Sequence, residues 1–198
     1  MTTAPVLKAA WDRYLATLDE MRVLVEASPQ FAAVPEQRVK AYHVFMEMQA
    51  MAYNFAVAPR MAHPRINRNT SWQTELYTLG GNGPDFLYGT VFLDGAQTYR
   101  LDGCINDSRL LIAQLNSKLP GCPGAKMLRN FDFSDFQIGQ DGGFSILISA
   151  RPQDGNWIQL DPDSDYQWML FRPTVETWDA SPASLGIERI STGPDDRY

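Results

Sequence analysis

The spacing of apolar residues changes once along this chain, near residue 60, and that change limits the folds open to it. From about Pro5 to Ser28, Leu7, Trp11, Leu15, Leu18 and Val25 recur near the three-to-four-residue interval, with Lys8, Asp12, Arg13, Asp19 and Glu20 elsewhere. That period places them on one face of a helix. Pro29 should stop this helix, since proline has no N–H to donate and its ring clashes with the turn before it. Pro35 suits the first turn of a second helix reaching Ala58, along which Val44, Met48, Met51 and Phe55 make an apolar stripe. The two helices, residues 5–58, are expected to form a hairpin that covers one side of the remaining chain.

Between Arg60 and Thr74 lie Pro64, two asparagines and three arginines with little apolar content, the composition of a linker or wrapping loop. Beyond it the pattern is β. Phe86 to Leu93 is rich in aromatic and β-branched residues, and Asp94-Gly95 signals a turn before Thr98 to Ile105. Arg109 to Leu115 is a further short apolar run. Phe131, Phe133 and Phe136, then Asp141-Gly142-Gly143, then Phe144 to Ala150 read as a hairpin. Trp157 to Leu160, Tyr166 to Phe171 and Leu185 to Ser191 add strands. Six to eight strands with short turns and few helical crossovers indicate an antiparallel sandwich or barrel over residues 75–192. A chain of 198 residues holds one substantial core comfortably, so a single α+β domain, mainly β, is the expectation.

Charge narrows the partners. A formal charge of -6 argues against a general nucleic-acid surface, which needs clustered Lys and Arg. No stretch approaches the roughly 18 uninterrupted apolar residues of a membrane span. The first residues lack the charged-then-apolar pattern of a secretory signal, and Cys104 and Cys122 read as reduced thiols, so the cytoplasm is the expected location.

Two runs carry a resemblance. Asn82-Gly83-Pro84-Asp85-Phe86-Leu87-Tyr88, followed by Leu93-Asp94-Gly95 and Thr98-Tyr99-Arg100-Leu101-Asp102-Gly103, is the first. The closing Trp168-Met169-Leu170-Phe171-Arg172-Pro173-Thr174-Val175-Glu176-Thr177-Trp178-Asp179 is the second. Over roughly residues 75–180 the chain resembles the bacterial "domain of unknown function" family numbered twelve-fourteen. The resemblance implies a jelly-roll-like β-sandwich, with the helices as a lead-in, and carries over no catalytic residues.

Candidate chemistry gathers at two places. His43, Glu47 and Asn54 fall on one side of the second helix at offsets of four and seven, with Tyr42, Gln49 and Tyr53 on an adjacent arc. This side could line a pocket or simply face solvent. The loop Asn82-Gly83-Pro84-Asp85 with Tyr88 could hold a carboxylate base and a phenolic donor at a sheet mouth, or could be an Asx-type turn. Arg100 and Arg172 sit in apolar strands, where an inward-facing guanidinium would need a carboxylate such as Asp85 or Asp161, or a substrate anion. With two histidines and no paired cysteines at finger spacing, no metal site is expected. Nucleophile-elbow and phosphate-cradling motifs are missing, so no organic cofactor is expected.

These features support two functional readings. The first is a cofactor-independent acid–base enzyme (hydratase, lyase, isomerase or hydrolase) for a small apolar or aromatic metabolite. Asp85, Tyr88, His43 and Arg100 would be catalytic, and Glu47, Asn54, Tyr53 and Asn82 would bind substrate. The alternative is a non-catalytic small-molecule-binding module, or an assembly module that forms a homo-oligomer through the N-terminal helices.

Overall fold

The computed structural model describes residues 4–68, 86–119 and 121–191. The loop Asn82–Asp85 lies outside them. The chain sorts into two compact units, Met1–Ala52 and Tyr53–Tyr198, where sequence pattern suggests a single domain.

The first unit is helical. Helix α1 spans Ala4–Glu26, a short α2 spans Pro29–Ala33, and α3 spans Pro35–Ala56, its last turn belonging to the second unit. Pro29 therefore does more than end α1. Ser28 caps the new turn, its side chain accepting from the Phe31 N–H, and Pro29 occupies a first-turn position that needs no donor. The corner is tied by the Tyr42 hydroxyl, which donates to Glu26 at 2.7 Å, and by Phe31 packed edge-to-face on Tyr42. Arg22 bridges Asp19 and Glu26 along α1. The Tyr42 bond, then Arg22, holds the Glu26 carboxyl below its usual range. No residue of α1 is buried: Leu7, Trp11, Tyr14, Leu15 and Leu24 are all exposed. Among the described residues no helix is long and apolar enough to cross a membrane.

The second unit is a two-sheet β body. Its strands are β1 (Asn67–Arg68), β2 (Gly89–Leu93), β3 (Tyr99–Cys104), β4 (Leu110–Asn116), β5 (Met127–Asp132), β6 (Gly143–Ser149), β7 (Trp157–Gln159), β8 (Gln167–Thr174) and β9 (Ser184–Arg189). One sheet runs β1-β2-β8-β4-β5 and the other β7-β6-β3-β9. Every pairing is antiparallel except β6 with β7. The chain thus has an α+β fold, with N-terminal helices and two mostly antiparallel sheets.

Alternation builds the core. In β4 and β6, positions 111, 113, 115 and 144, 146, 148 point inward and are buried, as a pleat of period two requires. They meet Val91, Leu93, Met169 and Phe171 from one sheet and Tyr99 and Leu101 from the other. Each fully buried side chain of this size contributes on the order of 1.5–3 kcal/mol. Phe133 bridges the sheets edge-on, touching Phe144 at 5.2 Å and Phe171 at 6.4 Å between ring centroids.

The hairpin expected around Asp141-Gly142-Gly143 does not form. β5 pairs with β4 and β6 pairs with β3, so the two lie in different sheets. The Asp132 carboxylate accepts from the Ser134 N–H and hydroxyl, starting a 3-10 turn over Phe133–Asp135 that ends β5 and sends the chain across the core. Gly142, at φ 79°, then makes the corner into β6 rather than the tip of a hairpin. The run Trp168–Asp179 that carries the family resemblance covers most of β8 and the turn after it.

Candidate functional site

The most built-up region lies on the face of the five-stranded sheet that turns away from the core. Thr90, Phe92, Asn116 and Trp168 point there, yet all are buried. An aromatic cluster covers part of it. Phe55, in the last turn of α3, stacks edge-to-face on Phe92 at 5.4 Å and on Trp168 at 5.7 Å, and Phe92 also meets Tyr166 at 5.5 Å. Phe55 O accepts from the Tyr166 hydroxyl, and Lys118 O accepts from the Trp168 indole N–H at 2.8 Å. Burial pushes the Tyr166 hydroxyl far above its usual titration range, with Cys122 adding to the effect.

Beside this cluster the chain leaves α3 and turns back. Pro59 follows the helix, the His63 N–H donates to Arg60 O at 3.1 Å, and Ala62 is buried as the anchor of the turn. Ile66 then packs where a side chain on Gly89 would stand: a Cβ there would approach Ile66 Cγ2 to 2.9 Å. That close approach lets Asn67 pair with Thr90 at the sheet edge. The result is a cleft of about 440 Å³ lined by Ala58, Pro59, Arg60, His63, Arg65, Asn67 and Phe92. Its lining combines two arginines, a histidine and an asparagine with Ala58, Pro59 and the buried Phe92.

Farther along the same face stands Arg172. Its Nη2 donates to Gln114 Oε1 at 3.0 Å, and Gln114 Nε2 donates to Asn116 Oδ1 at 2.7 Å. Arg172 Nε is buried without a partner. Among the described residues the side-chain partner of Arg172 is the neutral amide of Gln114 and not Asp161; Asp85 lies outside them.

Of the other expected residues in the second unit, Tyr88 and Arg100 are carried by different sheets. Tyr88 is half-buried one position before β2, in the same parity as Thr90 and Phe92, with its ring 5.7 Å from Phe86. Arg100 lies on the other sheet and faces outward, bound to Asp102 Oδ2 at 3.1 Å and to Glu188 across β9. His43 and Glu47 do meet, at 3.4 Å on α3, with His43 mostly exposed. Tyr53 is exposed and Asn54 half-buried about two turns later. Asp85 and Asn82 lie outside the described residues. Cys104 and Cys122 are free thiols. Among the described residues no group of three His, Cys, Asp or Glu side chains is placed to hold a metal.

A second, wider depression of about 530 Å³ is lined by Asp107, Arg109, Glu176, Thr177, Asp179 and Ala180. Its charges answer one another: Arg109 Nη1 meets Glu176 Oε1 at 2.9 Å, and Asp107 accepts from the Ser181 N–H. The Thr177 hydroxyl, then a backbone N–H, holds the Asp179 carboxyl below its usual range.

The cleft over Phe92 is the feature that sequence reading missed. Its arginines are visible there as a polar loop, but nothing in the spacing says that the loop closes over Phe92.

No protein-family model matches the chain, and no curated protein matches it. The fold is shared with a crystal structure of an uncharacterized protein from Burkholderia cenocepacia, at a TM-score of 0.73 and 26% identity. That likeness covers 93% of this chain and 51% of the other, so the chain spans about half the length of that protein.

Proposed function

We propose that this chain is a non-catalytic small-molecule-binding module, with the cleft over Phe92 as its site. The observation that carries this reading is the cleft itself. Its volume of about 440 Å³ lies in the range of small-ligand sites, roughly 300–1,000 Å³, and its lining holds both apolar and polar residues. A thermal-shift series with small aromatic compounds tests it. A ligand that binds only the folded protein adds about 2.7 kcal/mol at a hundredfold excess over Kd. A flat series for the whole set, with Phe92→Ala equally flat, would remove the cleft from consideration.

The acid–base enzyme is the competing proposal, and it depends on Asp85. Of its other members, Tyr88 and Arg100 belong to opposite sheets, and Arg100 is already engaged by two carboxylates. If the enzyme reading holds, Asp85→Asn abolishes turnover of the metabolite while the melting curve stays unchanged.

Self-association through α1 is a second reading, favoured by one observation. Leu7 and Trp11 are each 60% exposed and Tyr14 is 47% exposed, and they continue the stripe of half-buried Leu18, Met21 and Val25 at four- and three-residue steps. Such a stripe matches the spacing of a helix–helix seam. Light scattering across a concentration series would reveal the oligomer, and Trp11→Lys should return it to monomer.

A further inference from the structure

We propose that the cleft over Phe92 selects an anionic ligand, a carboxylate or phosphate group carried on a compact apolar body. This inference rests on the binding reading above and names the chemistry of its ligand.

The first argument is local charge against the global field. The chain carries 23 acidic and 17 basic residues, so its net field repels anions. Yet Arg60, His63 and Arg65 fall within six positions of one another, all three line the cleft, and its described lining includes no Asp or Glu. Arg60 already holds an interaction of its own. Arg65 and His63 are therefore the groups assigned to the anion, and Arg60 adds positive charge beside them.

The second argument is geometric. A guanidinium presents parallel N–H groups in a fixed plane that fits the two oxygens of a carboxylate or phosphate. Asn67, held at the sheet edge by its pairing with Thr90, adds an amide on the same rim. Ala58, Pro59 and the small part of Phe92 that is not covered, 4% of that residue, give the cleft an apolar wall. A compact apolar group can rest against that wall while its charged end meets Arg65 and His63.

The test is isothermal titration of the whole chain with benzoate, benzamide and inorganic phosphate. Benzamide keeps the shape of benzoate and removes the charge, while phosphate keeps a charge and removes the ring. Benzoate or phosphate should bind at least tenfold more tightly than benzamide. Arg65→Gln should lose about tenfold of that affinity with an unchanged melting curve, because Arg65 is exposed and its loss leaves the core intact. Arg151→Gln, an exposed arginine outside the cleft lining, is the control for net charge and should bind as the parent does.

Benzoate binding without phosphate binding would assign a carboxylate on a flat body, and the reverse would assign a phosphate; either supports the inference. Benzamide binding as tightly as benzoate would overturn it while leaving the cleft a binding site. Equal losses in Arg65→Gln and Arg151→Gln would also overturn it, since the effect would then be bulk charge. Failure of all three probes would remove both the inference and the binding reading.

Discussion

Arg172 and Gln114 form a lopsided pair on adjacent strands: the guanidinium donates one bond to a neutral amide at 3.0 Å, while its Nε is buried and bonded to nothing. A buried donor without a partner costs about 1–3 kcal/mol, whereas the bond to Gln114 returns about 1.5–3 kcal/mol as a bond from a charged donor. The two nearly cancel. Arg172→Met, which keeps the length of the stem and removes both effects, should leave stability unchanged or raise it. Gln114→Ala takes the acceptor from Arg172 Nη2 and should lower stability by about 1–3 kcal/mol. Urea denaturation of both variants measures this, and a large loss in Arg172→Met would show that the arginine is a net stabiliser.

Arg100 makes the opposite case. It is bound to Asp102 and Glu188, and its side chain is 47% exposed. Exposed pairs of this kind are worth roughly 0–1 kcal/mol. Arg100→Gln should therefore cost no more than about 1 kcal/mol in denaturation. It should also leave every ligand affinity as it was. Loss of binding or turnover in this variant would restore Arg100 to the functional site.

Glycine at position 95 is required by space. Its N–H donates to Ser164 O at 2.9 Å, and a Cβ there would lie 1.8 Å from Asp161 O and 2.8 Å from Ser164 O. Both obstacles are backbone and neither can swing away. Gly95→Ala should lose about 4 kcal/mol or more, the range reserved for severe steric or core disruption. Gly155, at φ 77° with open space around it, isolates the conformational cost: Gly155→Ala should lose only about 1–2 kcal/mol. Similar losses at the two positions would contradict this account.

Asp132 links stability to pH. Its carboxyl is held below the usual value by the Ser134 N–H first and the Ser134 hydroxyl second. A depressed folded-state pKa contributes stability that is complete above the unfolded-state value and is lost as pH falls through the folded one. Asp132→Ala should cost about 1 kcal/mol at neutral pH, the usual loss for a cap. The gap between parent and variant should close as the pH is taken below the ordinary carboxylate range. A gap that persisted in acid would mean that packing, and not the charged cap, is what the aspartate supplies.

Local pattern carried much of the fold. Phe144, Ile146 and Ile148 alternate with Ser145, Leu147 and Ser149, and β6 follows that alternation. The two helices are bounded within a few residues of Pro29, Pro35 and Pro59 because proline acts on its own turn. What could not be read is pairing at a distance. Phe131, Phe133 and Phe136 beside a glycine turn imitate a hairpin, and only the burial of Phe133 between Phe144 and Phe171 shows that they cross from one sheet to the other. The partner of Arg100 could not be read from spacing, because Glu188 is 88 positions away. The cleft was hidden for the same reason: Arg65 and Phe92 are brought together by a sheet edge, which leaves no trace in the spacing between them.

The position of β8 has a consequence for how this protein comes into being. β2 and β4 never pair with each other; each pairs with β8, which lies between them. A chain leaving the ribosome therefore carries β2 and the β4–β5 pair as separate pieces with open edges until Gln167–Thr174 has been made. Closure waits on a strand made after both of its partners, and during that interval the nascent chain is at its most vulnerable to association with its neighbours. A premature stop before Gln167 would not yield a smaller version of this protein but a set of strands missing the one that joins them.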